Sequence, residues 1–328
     1  MSITQKSLAV KIVIILTMLL AVFSTTSARP GTSARQTVVA IRFAVIGDFG
    51  KSNQYALDVS NLVKGWKPGF VITVGDNNYP NGEASTIDVN IGQYYHQFIY
   101  PYTGSYGAGA TSRRFFPALG NHDWNTGNVQ AHLNYFVLPG NERYYDYIRG
   151  PVHFFVLDSE VLEPDGNTST SIQAMWLKGK LAASTSTWNV VYLHHPPYSS
   201  GRTHGSNTNL QWPYATWGAD VVIAGHDHFY ERISRDGILY FVNGLGGHAT
   251  KYPFGTPVVG SKKRYNGDHG AMLVYANTTR MTFKFITRTG VLIDAYTLNV
   301  QPVSVKVNRD LVRQGLHNVP SFRNVVPR

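Results

Sequence analysis

The sequence contains no cysteine among its 328 residues. This absence excludes disulfides as a source of stability, and it excludes every metal site built on thiolates. A metal site in this chain would have to use imidazole, carboxylate, amide or phenolate groups, which suit harder cations. The fold must therefore be stabilised by its apolar core and by any metal that it binds.

Long apolar runs are also lacking, apart from a short one near the N-terminus. Lys6 and Lys11 precede apolar residues 12–23, and small residues follow at 25–28. This pattern is typical of a secretory signal peptide, and the run is shorter than the roughly 20 residues that span a bilayer. We therefore expect residues 1–28 to be a signal peptide and the protein to be secreted, into an extracellular, periplasmic or lysosome-like compartment, without a stable membrane anchor. An uncleaved anchor is the alternative.

Acidic residues are scarce, since 19 Asp and Glu stand against 29 Lys and Arg and give a formal net charge of +10. A basic surface attracts anions and raises their encounter rate. The basic residues are scattered, apart from Lys262-Lys263-Arg264. We therefore expect small anionic substrates and no nucleic acid as partners.

Short apolar segments that stop at a glycine or a polar residue recur along the chain. They are residues 38–46, 70–74, 115–119, 152–157, 190–193 and 221–224. Helical patterns lie at 55–63, 87–98 and 172–181, and three antiparallel strands are predicted at 271–276, 280–287 and 291–297. This mixture predicts an α/β fold with two sheets. No linker divides residues 38–298, which we expect to form one domain, followed by an extension at 299–328.

Five short motifs follow the predicted strands and carry the candidate chemistry. They are Gly47-Asp48-Phe49-Gly50, Gly75-Asp76-Asn77-Asn78-Tyr79, Gly120-Asn121-His122-Asp123, Val191-Tyr192-Leu193-His194 and Gly225-His226-Asp227-His228. Each is weak alone, because a Gly-Asp pair after a strand is more often a turn. Buried strands of an α/β sheet present polar residues at their carboxyl ends, so the joint occurrence favours one shared site.

A pair of metal ions explains this set of residue types. Two cations about 3.5–4 Å apart repel each other unless an anion lies between them, and Asp76 is the candidate bridge. The other candidates form a mostly anionic set, Asp48, Tyr79 and His228, and a neutral set, Asn121, His194 and His226. The anionic set suits a small trivalent ion, and the neutral set suits a divalent ion.

The order of these motifs resembles the purple acid phosphatases, a branch of the calcineurin-like metallophosphoesterases. Gly50 stands where the wider family has a histidine, and Tyr79 stands where this branch has a phenolate bound to iron. The chain length is similar to that of the short, tartrate-resistant members. The resemblance implies the calcineurin-like fold, a two-sheet mixed β-sandwich flanked by helices.

The resemblance also implies the cofactors and the reaction. It implies Fe(III) held by Asp48, Tyr79 and His228, a second ion (Fe, Zn or Mn) held by Asn121, His194 and His226, and Asp76 as the bridge. It implies an acid phosphatase that hydrolyses phosphomonoesters through a hydroxide generated by the two ions. The pair His194-His195 leaves the choice of ligand open; we prefer His194, with His195 on the substrate side.

Two more histidines match substrate-side positions of the family. His122 matches the substrate-contacting histidine of Gly-Asn-His, and His204 matches a histidine of the long plant forms. We expect His122 to contact phosphate and His204 to protonate the leaving group, although an exposed loop histidine is the alternative for His204. Asp123 either orients His122 or caps a helix.

Two rival functions fit the same motifs. The first is a secreted phosphodiesterase or nucleotide hydrolase with the same two metals. The second is a non-catalytic module that binds metal or phosphate. Sequons at Asn167 and Asn277 predict a glycoprotein only where the host glycosylates.

Overall fold

The structure, a computed structural model, describes residues 40–300. The predicted signal peptide, residues 1–28, and residues 301–328 of the predicted extension lie outside the described residues. The limits 38–298 of the expected domain therefore stay a prediction. Within the described part of the chain, no helix is both long enough and apolar enough to cross a membrane.

The described residues form thirteen strands and seven α-helical segments. The strands are β1 (Ile41–Ile46), β2 (Phe70–Val74), β3 (Phe115–Ala118), β4 (Tyr145–Arg149), β5 (Val152–Val156), β6 (Trp188–Tyr192), β7 (Val221–Ala224), β8 (Tyr230–Arg235), β9 (Ile238–Asn243), β10 (Ser261–Tyr265), β11 (Gly270–Ala276), β12 (Arg280–Thr287) and β13 (Leu292–Asn299). The helices are α1 (Gln54–Gly65), α2 (Ala84–Ile87), α3 (Gln93–Tyr95), α4 (Asn121–Trp124), α5 (Gln130–Tyr135), α6 (Ile172–Ala183) and α7 (Tyr214–Trp217).

The strands form two mixed sheets. The first has the order β13-β12-β11-β1-β2-β3, and the second has the order β10-β8-β9-β7-β6-β5-β4. Strands β1, β2 and β3 are parallel, as are β5, β6, β7 and β9. Parallel strands are covered on both faces and read as continuous apolar runs, which is the pattern that predicted them. The predicted two-sheet α/β fold is confirmed.

Aromatic side chains join the two sheets across the core. Phe43 of β1 meets Phe154 of β5 edge to face, with ring centroids 5.2 Å apart. Phe241 of β9 and Phe283 of β12 lie 4.9 Å apart by the same measure. Large buried rings contribute most of the apolar area that such a core removes from water. The packed sheets therefore hold their strand ends in a fixed relation to each other.

The two long helices begin at side-chain caps that the sequence contains. Asn53 accepts a hydrogen bond from the Ala56 amide at the start of α1, and Ser171 accepts one from the Ala174 amide at the start of α6. Such caps satisfy amide groups that have no partner within the helix. The predicted helices at 55–63 and 172–181 correspond to α1 and α6.

The predicted helix at 87–98 is interrupted. Between α2 and α3 the chain makes a π-helical turn, Asp88–Gly92, and a 3-10 turn, His96–Phe98, follows. The wider turn aims Asn90 at the loop after β2, where its amide donates to the Tyr79 carbonyl at 2.7 Å and to Asn78 at 2.8 Å. The irregular turn therefore braces a loop of the candidate site, as such turns often do.

The sequence pattern did not predict four of the strands, β4, β8, β9 and β10. Strands β8 and β9 form a hairpin around Asp236 and Gly237, which both have positive φ angles, 54° and 84°. An Asp-Gly pair between apolar segments is a strong hairpin signal that could have located both strands. His226 and His228 lie in the loop between the end of β7 at Ala224 and the start of β8 at Tyr230.

Candidate metal centre

All seven predicted ligands follow the carboxyl ends of parallel strands. Asp48 follows β1, Asp76 and Tyr79 follow β2, Asn121 follows β3, His194 follows β6, and His226 and His228 follow β7. Three of these strands belong to the first sheet and two to the second. Because the sheets are stacked, their loops meet at one end of the sandwich.

The anionic set of side chains is buried and closely spaced. The Tyr79 hydroxyl donates to Oδ2 of Asp76 at 2.8 Å and lies 3.3 Å from Nε2 of His228. The same Nε2 lies 3.4 Å from Oδ1 of Asp48. None of these four side chains belongs to a residue more than 4% exposed.

The neutral set converges on His194. Its Nε2 lies 3.0 Å from Oδ1 of Asn121, 3.1 Å from Nδ1 of His226 and 3.3 Å from Oδ1 of Asp76. His194 is fully buried, whereas Asn121 and His226 are partly exposed. This half of the centre is therefore the half that solvent and a substrate can reach.

Asp76 lies between the two sets. Its Oδ2 faces Tyr79 and its Oδ1 faces His194, so one carboxylate contacts both halves. One donor atom from each of Asp48, Asp76 and His194 lies within 4.8 Å of the others. A carboxylate in this position is what a pair of neighbouring cations requires between them.

Strained backbone supports the centre. Asp48, Asp76 and His226 have positive φ angles of 55°, 53° and 69°. Left-handed backbone is uncommon for residues with a side chain, and it concentrates at functional sites where the surrounding structure maintains it. Gly75, with φ +88°, would place a Cβ 2.5 Å from Nδ1 of His194, so only glycine fits there.

Backbone carbonyls set the tautomers of the two buried imidazoles. Nδ1 of His194 donates to the Val74 carbonyl at 2.8 Å, and Nδ1 of His228 donates to the Thr250 carbonyl at 2.7 Å. Each ring therefore presents Nε2 to the centre. Metal-binding histidines are usually oriented in this way by a partner on the other nitrogen.

The charges of the centre are strongly coupled. Burial lowers the pKa of His194, but the Asp76 carboxylate outweighs burial and raises it to about 10. Burial raises the pKa of Tyr79 well above its usual value, and the carboxylates of Asp76 and Asp48 raise it further. A cation in the centre would displace these protons, because metal ligands bind in their deprotonated forms. The donor set fits the hard cations that the motifs imply.

Of the three histidines predicted on the substrate side, His195 and His204 lie beside His226 of the open half, whereas the His122 ring lies against Tyr79 with centroids 4.3 Å apart. Nε2 of His122 lies 4.0 Å from Oδ2 of Asp76, and its Nδ1 donates to the Pro80 carbonyl. The His204 ring is exposed and packs on the His226 ring with centroids 4.0 Å apart. Nδ1 of His195 points away from the centre, to the Ser159 hydroxyl at 3.0 Å, so His194 is the histidine of this pair that faces the metal centre.

Asp123 caps a helix and does not orient His122. Its Oδ2 accepts from the Gly120 amide at 2.9 Å, and the same carboxylate accepts from the Asn77 amide. Burial and the charge of Asp76 raise the pKa of Asp123 to about 6. The neighbouring Glu231 and Arg232 have separate partners, since Glu231 accepts from Ser200 and Arg232 pairs with Asp294. Glu231 thus supports the loop at Ser200, whereas Arg232 joins β8 to β13.

Several residues at the site lacked a strong sequence signal. His248 packs on both Tyr79 and His228, with ring centroids 4.6 Å from each, and Tyr252 stacks on His228 at 4.2 Å. Oε1 of Glu160 lies 3.3 Å from Nδ1 of His195. The glycine-rich segment 244–247 was a signal for His248, whereas Glu160 and Tyr252 follow no motif. The aromatic residues Tyr198, Trp212, Tyr214 and Trp217 pack in a separate core cluster.

Comparison with known proteins defines the class of this chain. The family model for the calcineurin-like phosphoesterases matches residues 41–230, and the chain belongs to that family. Its curated relatives include purple acid phosphatase 15 of Arabidopsis thaliana, 27% identical over 64% of this chain and 46% of that protein. Tartrate-resistant acid phosphatase type 5 of Homo sapiens is 25% identical over 63% of this chain and 73% of that protein. The chain spans about half the length of the first of these relatives.

Solved structures support the same fold. The purple acid phosphatase PPD1 from yellow lupin seeds matches with a TM-score of 0.66 at 17% identity, over 88% of this chain and 57% of that one. GAP50 of Plasmodium, described as the anchor in the inner membrane complex, matches with a TM-score of 0.64 at 21% identity, over 86% and 98%. The calcineurin-like family and fold that the resemblance implied are thus confirmed, and purple acid phosphatases are among the relatives.

Proposed function

We propose that this protein is an acid phosphatase that hydrolyses phosphomonoesters at a two-metal centre. The observation that carries the proposal is the Asp76 carboxylate, which contacts both the anionic and the neutral set of donors. A single structural ion would need only one of these sets, and a surface module would need no bridging anion. The named relatives that are acid phosphatases support the same activity.

The proposed cofactors are Fe(III) in the buried half and a divalent Fe, Zn or Mn ion in the open half. When bound, such ions neutralise phosphate charge and lower the pKa of a water molecule. Asp48, Tyr79 and His228 would hold the first ion, and Asn121, His194 and His226 the second. The carbonyls of Val74 and Thr250 keep the two buried imidazoles in the required tautomer.

Protein side chains complete the substrate site. His122 is proposed to contact the phosphate, because its partly exposed ring packs on Tyr79 and its Nε2 lies 4.0 Å from the Asp76 carboxylate. A polar cavity of about 400 Å³ adjoins His226, and its lining includes His195 and His204. This cavity is proposed to receive the leaving alcohol, with His204 protonating the leaving oxygen and His195 on the substrate side.

Charge and targeting complete the proposal. The excess of basic residues favours capture of small anionic substrates over neutral ones. Secretion and the signal peptide at 1–28 remain predictions of the sequence, as do the sequons. The Asn167 side chain is buried and donates to the Ser159 carbonyl, whereas the Asn277 side chain accepts hydrogen bonds in a turn before β12.

A second candidate function is a non-catalytic one. GAP50, whose fold is shared, is described as an anchor, so this fold by itself does not indicate catalysis. The complete set of seven donors around Asp76 favours the enzyme. A phosphodiesterase with the same metals is the other alternative, and it differs in the ester that it accepts.

Metal analysis combined with substrate comparison tests the proposal. We expect the purified protein to contain two metal ions per chain, to absorb visible light, and to hydrolyse p-nitrophenyl phosphate faster than bis-p-nitrophenyl phosphate. Faster cleavage of the bis ester would favour the phosphodiesterase. A protein with two bound metals but no hydrolysis of either ester would indicate the non-catalytic module.

A further inference from the structure

We propose that Asp227, which lies between two predicted ligands, is a positioning residue that fixes His204 over the open half of the centre. This inference rests on the proposed function, in which His204 contacts the leaving oxygen. His226 and His228 both turn toward the metal centre, whereas the side chain of Asp227 turns toward the loop 199–205. The single residue between the two histidines thus links the ligands to the leaving-group side.

The side chain of Asp227 accepts its hydrogen bonds from the loop 199–205. The residue is fully buried, and its Oδ2 accepts hydrogen bonds from the Gly205 amide at 3.1 Å and from the Ser199 hydroxyl. A Cβ at Gly201 would collide with the same carboxylate. Because Gly205 has φ +74°, the chain can turn sharply just after His204. The loop therefore wraps around one carboxylate.

The His204 side chain has few other restraints. Its ring packs on His226 at 4.0 Å and on Tyr252 at 5.2 Å between centroids. Within residues 40–300 no hydrogen bond holds this ring, and the residue is exposed. Its position is therefore determined mainly by its backbone, which Asp227 anchors at the next residue.

Glu231 offers a matched control. This buried carboxylate holds the same loop at its other end, where it accepts from the amide and hydroxyl of Ser200 and from the Ser261 hydroxyl. Both acids stabilise one loop, but only Asp227 is bonded next to His204. General loosening of the loop would follow loss of either acid, whereas displacement of His204 would follow loss of Asp227.

Substrates with different leaving groups distinguish displacement of His204 from general loosening of the loop. An alkoxide leaves poorly without a hydrogen-bond donor, whereas a nitrophenolate leaves readily without one. Misplacement of a contacting group by about 1 Å can lower the rate about 100-fold. Loss of Asp227 should therefore lower kcat for glycerol 2-phosphate by roughly 10- to 100-fold, with little change for p-nitrophenyl phosphate and in KM.

The experiment is a double-mutant cycle of Asp227→Leu and His204→Ala in the metal-loaded protein, with Asp227→Asn and Glu231→Leu alongside. We expect Asp227→Leu to lose activity selectively on glycerol 2-phosphate and to keep both metals. In the His204→Ala background, it should cause no further loss beyond about twofold, since coupled residues are not additive. Asp227→Asn, which can still accept from Gly205, should restore most of the activity.

Other outcomes overturn the inference. Equal losses for Asp227→Leu in both backgrounds, loss of a metal ion, or the same selective loss in Glu231→Leu would each show that Asp227 does not act through His204. If Asp227→Leu fails to fold, Ser199→Ala takes its place in the cycle, with an expected loss of a few-fold. Failure of the wild type to hydrolyse p-nitrophenyl phosphate would instead reject the proposed function.

Discussion

The two halves of the candidate metal centre differ in burial and in charge. Around Tyr79 the donors are mostly anionic and no more than 4% exposed, whereas Asn121 and His226 in the other half are neutral and partly exposed. Asp76 contacts both halves. In the proposed two-metal site, the closed half would retain one ion and the partly exposed half would admit the substrate.

Removal of the Asp76 carboxylate, which contacts both halves, should have the largest effect on metal binding and activity. In Asp76→Ala, the two cations lose the anion between them, and we expect loss of both ions and a decrease in kcat/KM of about 10⁴-fold. Metal analysis and p-nitrophenyl phosphate hydrolysis provide the measurements. Asp58→Ala, which removes an ion pair with Arg288 and a hydrogen bond from Gln54, is the control and should retain both ions. An Asp76→Ala protein with both ions would refute the bridge.

Removal of a neutral donor should affect only the open half. We expect Asn121→Ala to weaken binding of the second ion by roughly 10- to 100-fold, with activity restored by added divalent metal because the remaining donors are intact. Metal titration followed by activity provides the measurement. Loss of the ion from the buried half before the other would contradict the assignment of the two halves.

One buried histidine outside the centre, His132, differs from the buried histidines of the centre because its ring lacks a hydrogen-bond partner within residues 40–300. His132 is 3% exposed, and neither ring nitrogen has a hydrogen-bond partner among residues 40–300. Burial lowers the pKa of His132 to about 3, against about 6.5 in an unfolded chain. The unfolded chain thus binds more protons between these values, and stability falls as the pH decreases through this range.

At pH 5 the protonation of His132 in the unfolded chain lowers the free energy of unfolding by about 2 kcal/mol. His132→Leu should lack this part of the pH dependence, because leucine cannot bind the proton. Urea unfolding at pH 7 and pH 5 measures it for both proteins. An unchanged pH dependence in His132→Leu would show that the imidazole is not buried in its neutral form.

The smallest effect on activity is expected from the phenol of the buried half. Tyr79→Phe leaves Asp48, Asp76 and His228 in place, so both ions should remain and kcat should fall by about tenfold or less. Visible absorption should be lost or strongly weakened, because phenolate-to-iron charge transfer requires the hydroxyl. An unchanged spectrum would show that Tyr79 does not bind the chromophoric ion, and a wild type without iron would reject the iron assignment alone.

Much of the fold was predictable because its central strands are strongly patterned. Strands β2 and β7 have the predicted bounds, since a run of buried apolar residues ending at Gly75 or Gly225 defines them. Strands β4 and β10 were not predicted, because they lie at sheet edges and have partly exposed residues of mixed polarity. The helix at 87–98 was predicted as regular because periodicity does not reveal the wider turn that Asn90 requires.

The sequence alone determined which donor groups are available and in what order, because residue types and strand-end motifs are local properties. It also determined the family, through the same motifs. Only the tertiary structure decided that His194 rather than His195 faces Asp76, that Asp123 braces a turn, and that Glu160, His248 and Tyr252 belong to the site. These depend on contacts between residues far apart in the chain, and the stacking of the two sheets determines such contacts.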